Sequence, residues 1–410
     1  MNYSLQTTTR AFRHKNYRLY WLGQLLSLVG TWMQNMAQGW LVLTLTNSAF
    51  AVGVVNAAQF TPILLLSLYA GVVADRCNKK RLLLITQTSM LLLTGIMGVL
   101  TLTGTVAYWQ IVLLASLLGL ANTFDVPARQ SFVVEMVGKE DLPNAIAQNS
   151  LIFNLARIIG PALAGLIIAH FGAGMCFVIN SFSFMAVLTS LVLIRPLSLG
   201  QIKPDIGHPW QNIREGLDYT RKTPIVAYCI TLMAGLSLFA INFSVLIPVL
   251  ARNTFHQNAV GYGYLMTATG IGALCGALSM AALSDLTSRK RILKIAAFGL
   301  CFFQILLGFD QHYFDLALPL LFLIGLSMVL FATSVNTTLQ LNVPDHLRGR
   351  IMSLYNLVFA GVTPFGALLS GAISHRLGAG MAFSIGAVLG LVCLLFVNRT
   401  IMTDRSQVPN

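Results

Sequence analysis

The sequence has few charged residues. Asp, Glu, Lys and Arg make up 10% of its 410 residues, whereas soluble domains carry about 25%. Hydrophobic residues account for 56% of the chain, and the mean hydropathy is +0.74. A soluble fold of this composition would have too little polar surface to face water. The scarcity of charge therefore excludes an ordinary soluble domain.

The chain also lacks the motifs of common enzyme and metal centres. No HExxH, GxSxG or GxxxxGK[ST] motif occurs, and no two cysteines are spaced as CxxC. The six cysteines stand singly, mostly in apolar segments, as small hydrophobic residues do. We therefore expect no cofactor and no metal site. A polytopic membrane enzyme is the least favoured alternative, because the sequence offers no catalytic constellation.

Long apolar runs recur from one end of the chain to the other. A bilayer core requires about 20 apolar residues per helix, and lipid admits only helices or closed barrels. The runs are too long for barrel strands, which span about ten residues. The sequence therefore predicts an all-α membrane protein with twelve transmembrane helices, over residues 18–46, 50–74, 82–103, 107–134, 144–170, 172–194, 225–252, 258–284, 292–309, 315–342, 349–375 and 378–398.

The distribution of basic residues predicts the orientation. With twelve helices, 23 of the 26 Lys and Arg residues fall on one side; the exceptions are Arg157, Arg252 and Arg376. Cytoplasmic loops carry such an excess of positive charge, so both termini are predicted to be cytoplasmic in a multi-pass protein of the inner membrane. The net charge of +13 fits attraction to an anionic leaflet. We expect lipid as a partner and no nucleic acid.

The two halves of the sequence resemble each other when one is shifted by about half the chain. "GAGMCF" at 172–177 recurs as "GAGMAF" at 378–383, and Gly160 and Gly165 fall on Gly366 and Gly371. Parallel repeats with a central cavity are a plan of secondary transporters. We predict six-helix bundles over residues 1–194 and 225–410, joined by a cytoplasmic linker over 195–224 that contains a short interfacial helix.

Two stretches carry a family resemblance. "GVVADRCNKKR" at 71–81 resembles the motif between the second and third helices of the major facilitator superfamily. Residues 125–167 further resemble the branch that contains enterobactin-type siderophore exporters and macrolide or multidrug efflux proteins. The resemblance implies export of an amphiphilic molecule in exchange for protons, usually by a monomer. The fourth-helix Arg of the family is absent, since Ala115 occupies its position. Proton-coupled uptake of a small metabolite by the same fold is the alternative.

The charged motif is predicted to act as a cytoplasmic gate. Gly71 permits close helix approach, and Asp75 suits the end of a neighbouring helix. Basic side chains of the motif are expected to bridge to Glu135, and "ALSDLTSRKRILKI" at 282–295 repeats the motif. The alternative is that these charges only set topology, which leaves the repeated Asp unexplained. The predicted gate residues are Gly71, Asp75, Arg76, Lys80, Arg81, Glu135, Asp285, Arg289 and Arg291.

Ionisable groups inside the membrane are candidates for proton coupling. Asn122, Asp125 and Arg129 share one stripe of the fourth helix, and Arg157 lies near the middle of the fifth. Asp125 is expected either to pair with Arg157 and titrate, or to be satisfied by Arg129 one turn away. "RIIGPALAG" resembles the fifth-helix motif of antiporting members through Gly160, Pro161 and Gly165, and its glycines favour tight packing.

A substrate cavity of this class should be mostly apolar with few polar anchors. Polar and aromatic residues predicted near mid-depth supply the candidates. They are Trp32, Asn35, Gln38, Gln59, Asn122, Asn154, Phe239, Asn242, Phe243 and Phe359. Each is also a plausible packing residue.

Overall fold

The computed structural model describes residues 10–194, 209–283, 289–310 and 312–403, and these are almost entirely helical. A 3-10 turn at Arg10–Arg13 comes first. The helices are α1 (Lys15–Thr46), α2 (Ala49–Arg76), α3 (Lys79–Leu102), α4 (Tyr108–Phe171), α5 (Ala173–Leu193), α6 (Pro209–Lys222), α7 (Pro224–Phe239), α8 (Phe243–Val249), α9 (Ala259–Leu283), α10 (Arg289–Phe309), α11 (Phe314–Asn342), α12 (Asp345–Gly361) and α13 (Thr363–Thr403).

Short polar turns reverse the chain between successive helices. Ser48 begins α2 by accepting a hydrogen bond from the Ala51 backbone N–H at 3.3 Å, and Asn78 caps α3 through Arg81 N–H at 3.0 Å. Asn47 ends α1 in the left-handed conformation, with a φ of 49°. Capping side chains satisfy backbone groups that a helix end leaves unpaired. The chain can therefore return directly into the bundle.

Glycines with positive φ divide the longest helices. Gly138 breaks α4 at a φ of 71°, and Gly378 breaks α13 at a φ of 85°. Gly172 occupies the position in the first half equivalent to Gly378, with a φ of 81°. Residues without a Cβ reach this region without strain. The repeated "GAGM" segments thus start a helix in the same way in both halves.

Most of the described helices belong to segments of membrane-spanning length. Nine helical segments in the described ranges are long and apolar enough to cross a bilayer, including the 64-residue Tyr108–Phe171 and the 54-residue Leu347–Thr400. These two long segments contain the breaks at Gly138 and Gly378. Each predicted span lies mostly within described helices, although 225–252 is divided between α7 and α8 and 349–375 between α12 and α13. The all-helical membrane fold is therefore confirmed, and its helices are consistent with the predicted number.

Equivalent contacts recur in the two halves. Gly119 of α4 packs on the backbone carbonyl of Gln59, and Gly325 of α11 packs on that of Thr269. Gly165 packs against Gly263, while Gly371 packs against Gly53. The partners in each pair of contacts are related by the same shift along the chain that relates the sequence repeats. We call residues 15–193 the first repeat and residues 224–403 the second repeat.

The ends of the helices define two faces. The basic face contains the helix ends near residues 15, 76–79, 138, 193, 224, 289, 342–345 and 403, and the distal face contains the opposite ends. The glycine contacts Gly165–Gly263 and Gly371–Gly53 join the repeats near the distal face. We call this junction the seam.

The predicted linker helix is present as α6. Glu215 of α6 forms an ion pair with Arg350 of α12, and the Tyr219 hydroxyl donates to the Asn342 carbonyl oxygen at 3.4 Å. The linker helix therefore contacts the second repeat at the basic face. Trp210, Ile213 and Leu217 are spaced to share one apolar face of this helix. The side chains of Trp210 and Ile213 lie outside the described residues, and Leu217 is exposed.

Candidate functional site

Asp125 is buried inside the first repeat, with 1% of its surface exposed. Its Oδ1 atom accepts hydrogen bonds from Thr86 Oγ1 at 2.9 Å and from Gln87 Nε2 at 2.7 Å, both on α3. Its Oδ2 atom lies 3.2 Å from Arg129 Nη2, one turn further along α4. A buried carboxylate requires such partners, because burial disfavours an isolated charge. The stripe of polar residues on α4 thus meets a polar stripe on α3.

Arg129 extends this network towards α1. Its Nη1 atom donates to Gln24 Oε1 at 3.0 Å, and Gln24 Nε2 donates to the Tyr20 hydroxyl at 3.1 Å. A change in the charge of Asp125 would therefore alter bonds on three helices. The sequence indicated Asp125 and Arg129 but not Tyr20, Gln24, Thr86 or Gln87, since their contacts depend on how the helices are rotated.

The predicted pairing of Asp125 with Arg157 is wrong, and the alternative with Arg129 is correct. Counted from the break at Gly138, Arg157 lies deeper in the membrane than Asp125 by about six residues. At a rise of about 1.5 Å per residue, the two depths differ by about 9 Å. The Arg157 guanidinium instead lies 5.7 Å above the Trp32 ring and 3.9 Å from Met328 Sδ.

The charged motif at 71–81 makes a different bridge from the predicted one. Lys79, which was not among the predicted gate residues, pairs with Glu135 at 2.8 Å. Lys80 donates to the Ile194 carbonyl oxygen at 2.8 Å, at the end of α5. Arg76 and Arg81 are exposed. Successive helical residues point about 100° apart, which decides which lysine reaches Glu135.

Other predicted gate residues are open to solvent. Asp75 is exposed, and a Cβ placed on Gly71 would have no neighbour within 4 Å. The predicted close helix approach at Gly71 is therefore absent from this conformation. Arg289 is half-buried and Arg291 is exposed, while Asp285 lies outside the described residues.

The antiporter-like motif, Gly160, Pro161 and Gly165, takes part in two helix–helix contacts, one within the first repeat and one between the repeats. A Cβ on Gly160 would lie 2.5 Å from Trp32 Cβ, within the first repeat. Gly165 and Pro161 instead face Gly263 of the second repeat, with the Pro161 carbonyl oxygen 3.0 Å from the position of a Gly263 Cβ. The tight packing predicted for the glycines is confirmed.

Polar cavity candidates on α1 and α2 lie beside the seam. Gln38 Nε2 donates to Gln59 Oε1 at 2.9 Å, while the buried Gln38 Oε1 has no hydrogen-bond partner among the described residues. Asn35 is exposed and lies one turn from Gly39, which faces Tyr262 of the second repeat. Asn35 therefore shares the helix face that Gly39 turns towards the second repeat, and Gln38 and Gln59 pair within the first repeat.

Four further cavity candidates are partly accessible in the structure. Phe239, Phe359, Asn122 and Asn154 are half-buried, and Asn154 donates to the Ser150 carbonyl oxygen at 2.8 Å.

The break between α7 and α8 holds two further candidates. The Asn242 amide donates to the Leu238 carbonyl oxygen, and its Oδ1 atom has no partner in the described ranges. Phe243 is buried and stacks on Phe383 with ring centroids 6.4 Å apart. Phe243 is thus a packing residue in this conformation and not a cavity wall.

Sequence reasoning missed a second buried polar cluster and a buried acid. Gln34 Oε1 accepts from the Asn180 amide and from Thr94 Oγ1. Asp310, at the distal end of α10, accepts from the Tyr313 backbone N–H at 3.1 Å, and its Oδ2 atom has no partner in the described part of the chain. A polar residue inside an apolar run was the available signal for Gln34 and Asn180.

Comparison with known proteins agrees with this arrangement. The family described as transmembrane secretion effector matches residues 6–408. The staphyloferrin A transporter of Staphylococcus aureus is 29% identical over 93% of this chain and 96% of its own length. The multidrug efflux pump Tap of Mycolicibacterium fortuitum is 27% identical over 90% of this chain and 92% of its own length. The enterobactin exporter EntS of Escherichia coli is 25% identical over 97% of this chain and 95% of its own length.

Solved structures share the fold. A D-xylose-proton symporter superimposes with a TM-score of 0.75 at 14% identity, covering 93% of this chain and 96% of that one. A second structure is a bacterial homologue of the human lysosomal transporter Spinster in an inward-facing and unoccupied conformation. It superimposes with a TM-score of 0.73 at 12% identity, covering 96% of this chain and 99% of that one.

The fold, the repeat and these matches define a multi-pass membrane transporter of the major facilitator superfamily. Within it, the chain belongs to the transmembrane secretion effector family, whose relatives here include siderophore and drug efflux proteins. The resemblance indicated by residues 71–81 and 125–167 is confirmed.

Proposed function

We propose that the protein exports an amphiphilic small molecule, a siderophore or a drug-like compound, across the cytoplasmic membrane in exchange for protons. Transport of staphyloferrin A, export of enterobactin and multidrug efflux, as the names of the relatives give them, support this class of substrate. In this proposal the basic face is cytoplasmic, because basic residues favour that side, and the protein acts as a monomer.

The buried Asp125 is the main observation that supports proton coupling. A carboxylate can take up and release a proton inside the membrane, and such groups mark proton relays in transporters. Protonation of Asp125 would remove the charge that holds Arg129 at 3.2 Å. The guanidinium would then be free to rearrange its bond to Gln24. One proton is thereby linked to contacts on α1, α3 and α4.

The described conformation supports alternating access. The seam is closed near the distal face, where Gly165 meets Gly263, while Gly71 and Gly349 near the basic face have open space around them. In this proposal residues 1–194 and 225–410 move as two bundles, with 195–224 as the linker. Substrate would enter this conformation from the cytoplasm.

The motif at 71–81 is proposed to close the cytoplasmic side in the alternate conformation. Asp75 is unpaired among the described residues and exposed, as expected of a latch that is open in this state. Gly71 would then accommodate a helix of the second repeat, because it lacks a side chain. The Lys79–Glu135 pair belongs to the first repeat alone and is not part of this latch.

Metabolite profiling of a deletion strain, with and without iron limitation, tests the proposed function. The exported compound should accumulate inside the deletion cells and disappear from the medium; a siderophore should show this only under iron limitation. Complementation with the wild-type gene should reverse both changes, and complementation with Asp125→Asn should not. A compound that instead remains in the medium of the deletion strain would indicate uptake.

A further inference from the structure

Arg157 lies where the seam between the repeats ends. A Cβ on Gly270 of α9 would lie 2.9 Å from the Arg157 carbonyl oxygen, and the Thr267 hydroxyl donates to the Ile158 carbonyl oxygen at 3.4 Å. From there the contact continues to Gly165 and Gly263 near the distal face. Towards the basic face, Phe153 is exposed. Arg157 is therefore at the closed inner end of the space between the repeats.

Among the described residues, no carboxylate pairs with the Arg157 guanidinium. It presents five N–H donors, yet within the described part of the chain its hydrogen-bonding partner is Met328 Sδ, at 3.9 Å. Thioether sulfur is a weak acceptor. The Trp32 ring, 5.7 Å from the guanidinium carbon, adds a cation–π contact but cannot neutralise the charge.

The Asp125 carboxylate, predicted to pair with Arg157, is bonded to other side chains. Both oxygens of Asp125 are engaged, one by Thr86 and Gln87 and the other by Arg129. The Asp125–Arg129 pair is therefore balanced, and Arg157 adds an unbalanced positive charge at mid-depth. An unpaired cation inside a membrane protein is costly and is retained at sites that use it.

Closure around Arg157 requires an anion. In the present conformation the residue Arg157 is half-buried. Closure of the basic face would bury it further, and a buried charge without a partner is strongly destabilising. A carboxylate is a good partner, because it can accept two parallel N–H bonds from guanidinium.

We infer that Arg157 binds an acidic oxygen group of the transported molecule, so that the substrate is an amphiphilic anion. This inference rests on the proposed function for the identity of the cavity. Trp32 and Phe153, whose rings meet edge to face at 5.7 Å, provide an apolar surface beside the guanidinium for the rest of the molecule. A cationic compound would meet repulsion at the same place. The site thus favours acidic, siderophore-like substrates over cationic drugs.

Binding to the purified full-length protein in detergent tests this inference without any gradient. The probe is dansyl-aspartate, an aromatic dicarboxylate, and its dimethyl ester is the neutral counterpart. The wild type should bind the acid at least about tenfold more tightly, as a charge-assisted hydrogen bond provides. Arg157→Gln should remove that preference, and Arg157→Lys should keep part of it. Arg18→Gln is the matched control, since it removes an exposed charge that belongs to neither the proposed gate nor the cavity.

Equal affinity of the wild type for acid and ester would overturn the inference, and this comparison requires no variant to fold. A preference for the acid that survives in Arg157→Gln would also overturn it. Neither result bears on proton coupling or direction, because no proton gradient is present. Conversely, failure of proton-driven export with the acid preference intact would reject the proposed function and leave the anion site standing.

Discussion

Asp125 and Arg157 show how far a single residue can be interpreted from sequence. Their presence inside apolar segments marked both as functional candidates. Their partners depended on depth and on helix rotation, and a difference of about six residues placed them about 9 Å apart along the membrane normal. The residue whose loss would leave the carboxylate without a charge partner is therefore Arg129, and Arg157 is left for a different anion.

Asp125→Asn should abolish proton-driven efflux and preserve substrate exchange that requires no net proton movement. The amide keeps the shape of the side chain but cannot titrate, so the coupling step is lost while the cavity remains. Glu135→Gln is the matched control: it breaks the Lys79 pair at the basic face, where both side chains are partly exposed, and such pairs contribute about 0–1 kcal/mol. Efflux and exchange measured in proteoliposomes distinguish the two variants.

Retention of the wild-type pH dependence by Asp125→Asn would contradict the assignment. The proton site would then have to be sought elsewhere. Asp310 becomes the first alternative, since it is buried and its Oδ2 atom lacks a partner among the described residues.

At the scale of helices, the long apolar runs predicted most of what the structure shows. The second helix begins after Ser48 and the helix after Gly172 begins where predicted. The third helix begins after Asn78, three residues before the predicted start at residue 82. The fifth span starts earlier than predicted, since the predicted start was residue 144 and the structure places the break at Gly138.

Gly53→Val should open the seam at the distal face. A Cβ at this position would lie 2.5 Å from the Ala367 carbonyl oxygen, so the backbones of α2 and α13 must separate. Overpacking of this kind costs about 1–3 kcal/mol, enough to favour the alternate conformation. A cysteine introduced at the exposed Asn35 should then react faster with a membrane-impermeant maleimide added from the distal side.

Gly71→Val is the matched control for this experiment. The same side chain meets open space there in the described conformation, and the proposed latch would be blocked only in the alternate one. Labelling from the distal side should therefore stay the same or fall. Equal increases in both variants would contradict the described seam; Gly53→Ala provides a milder test if the valine variant is poorly produced.

At the scale of the whole molecule, the internal repeat was the most informative signal. The shift between the two halves predicted that Gly165 and Gly371 are equivalent, and the structure packs them against the equivalent residues Gly263 and Gly53. Sequence could not show which side of the molecule is closed. That depends on the relative position of the repeats, and one sequence is compatible with both conformations. The open space around Gly71 and the closed seam are therefore structural findings.

The central claim is exchange of substrate for protons in opposite directions. It is tested most directly in proteoliposomes with a lumenal pH dye and an imposed pH gradient. The exposed Cys77 near the basic face reports orientation through an impermeant maleimide, with Cys77→Ser as the labelling control. For molecules with the basic face outward, an acidic lumen should drive substrate into the lumen while protons leave it. Movement of substrate and protons in the same direction, or substrate accumulation without proton movement, would contradict the account.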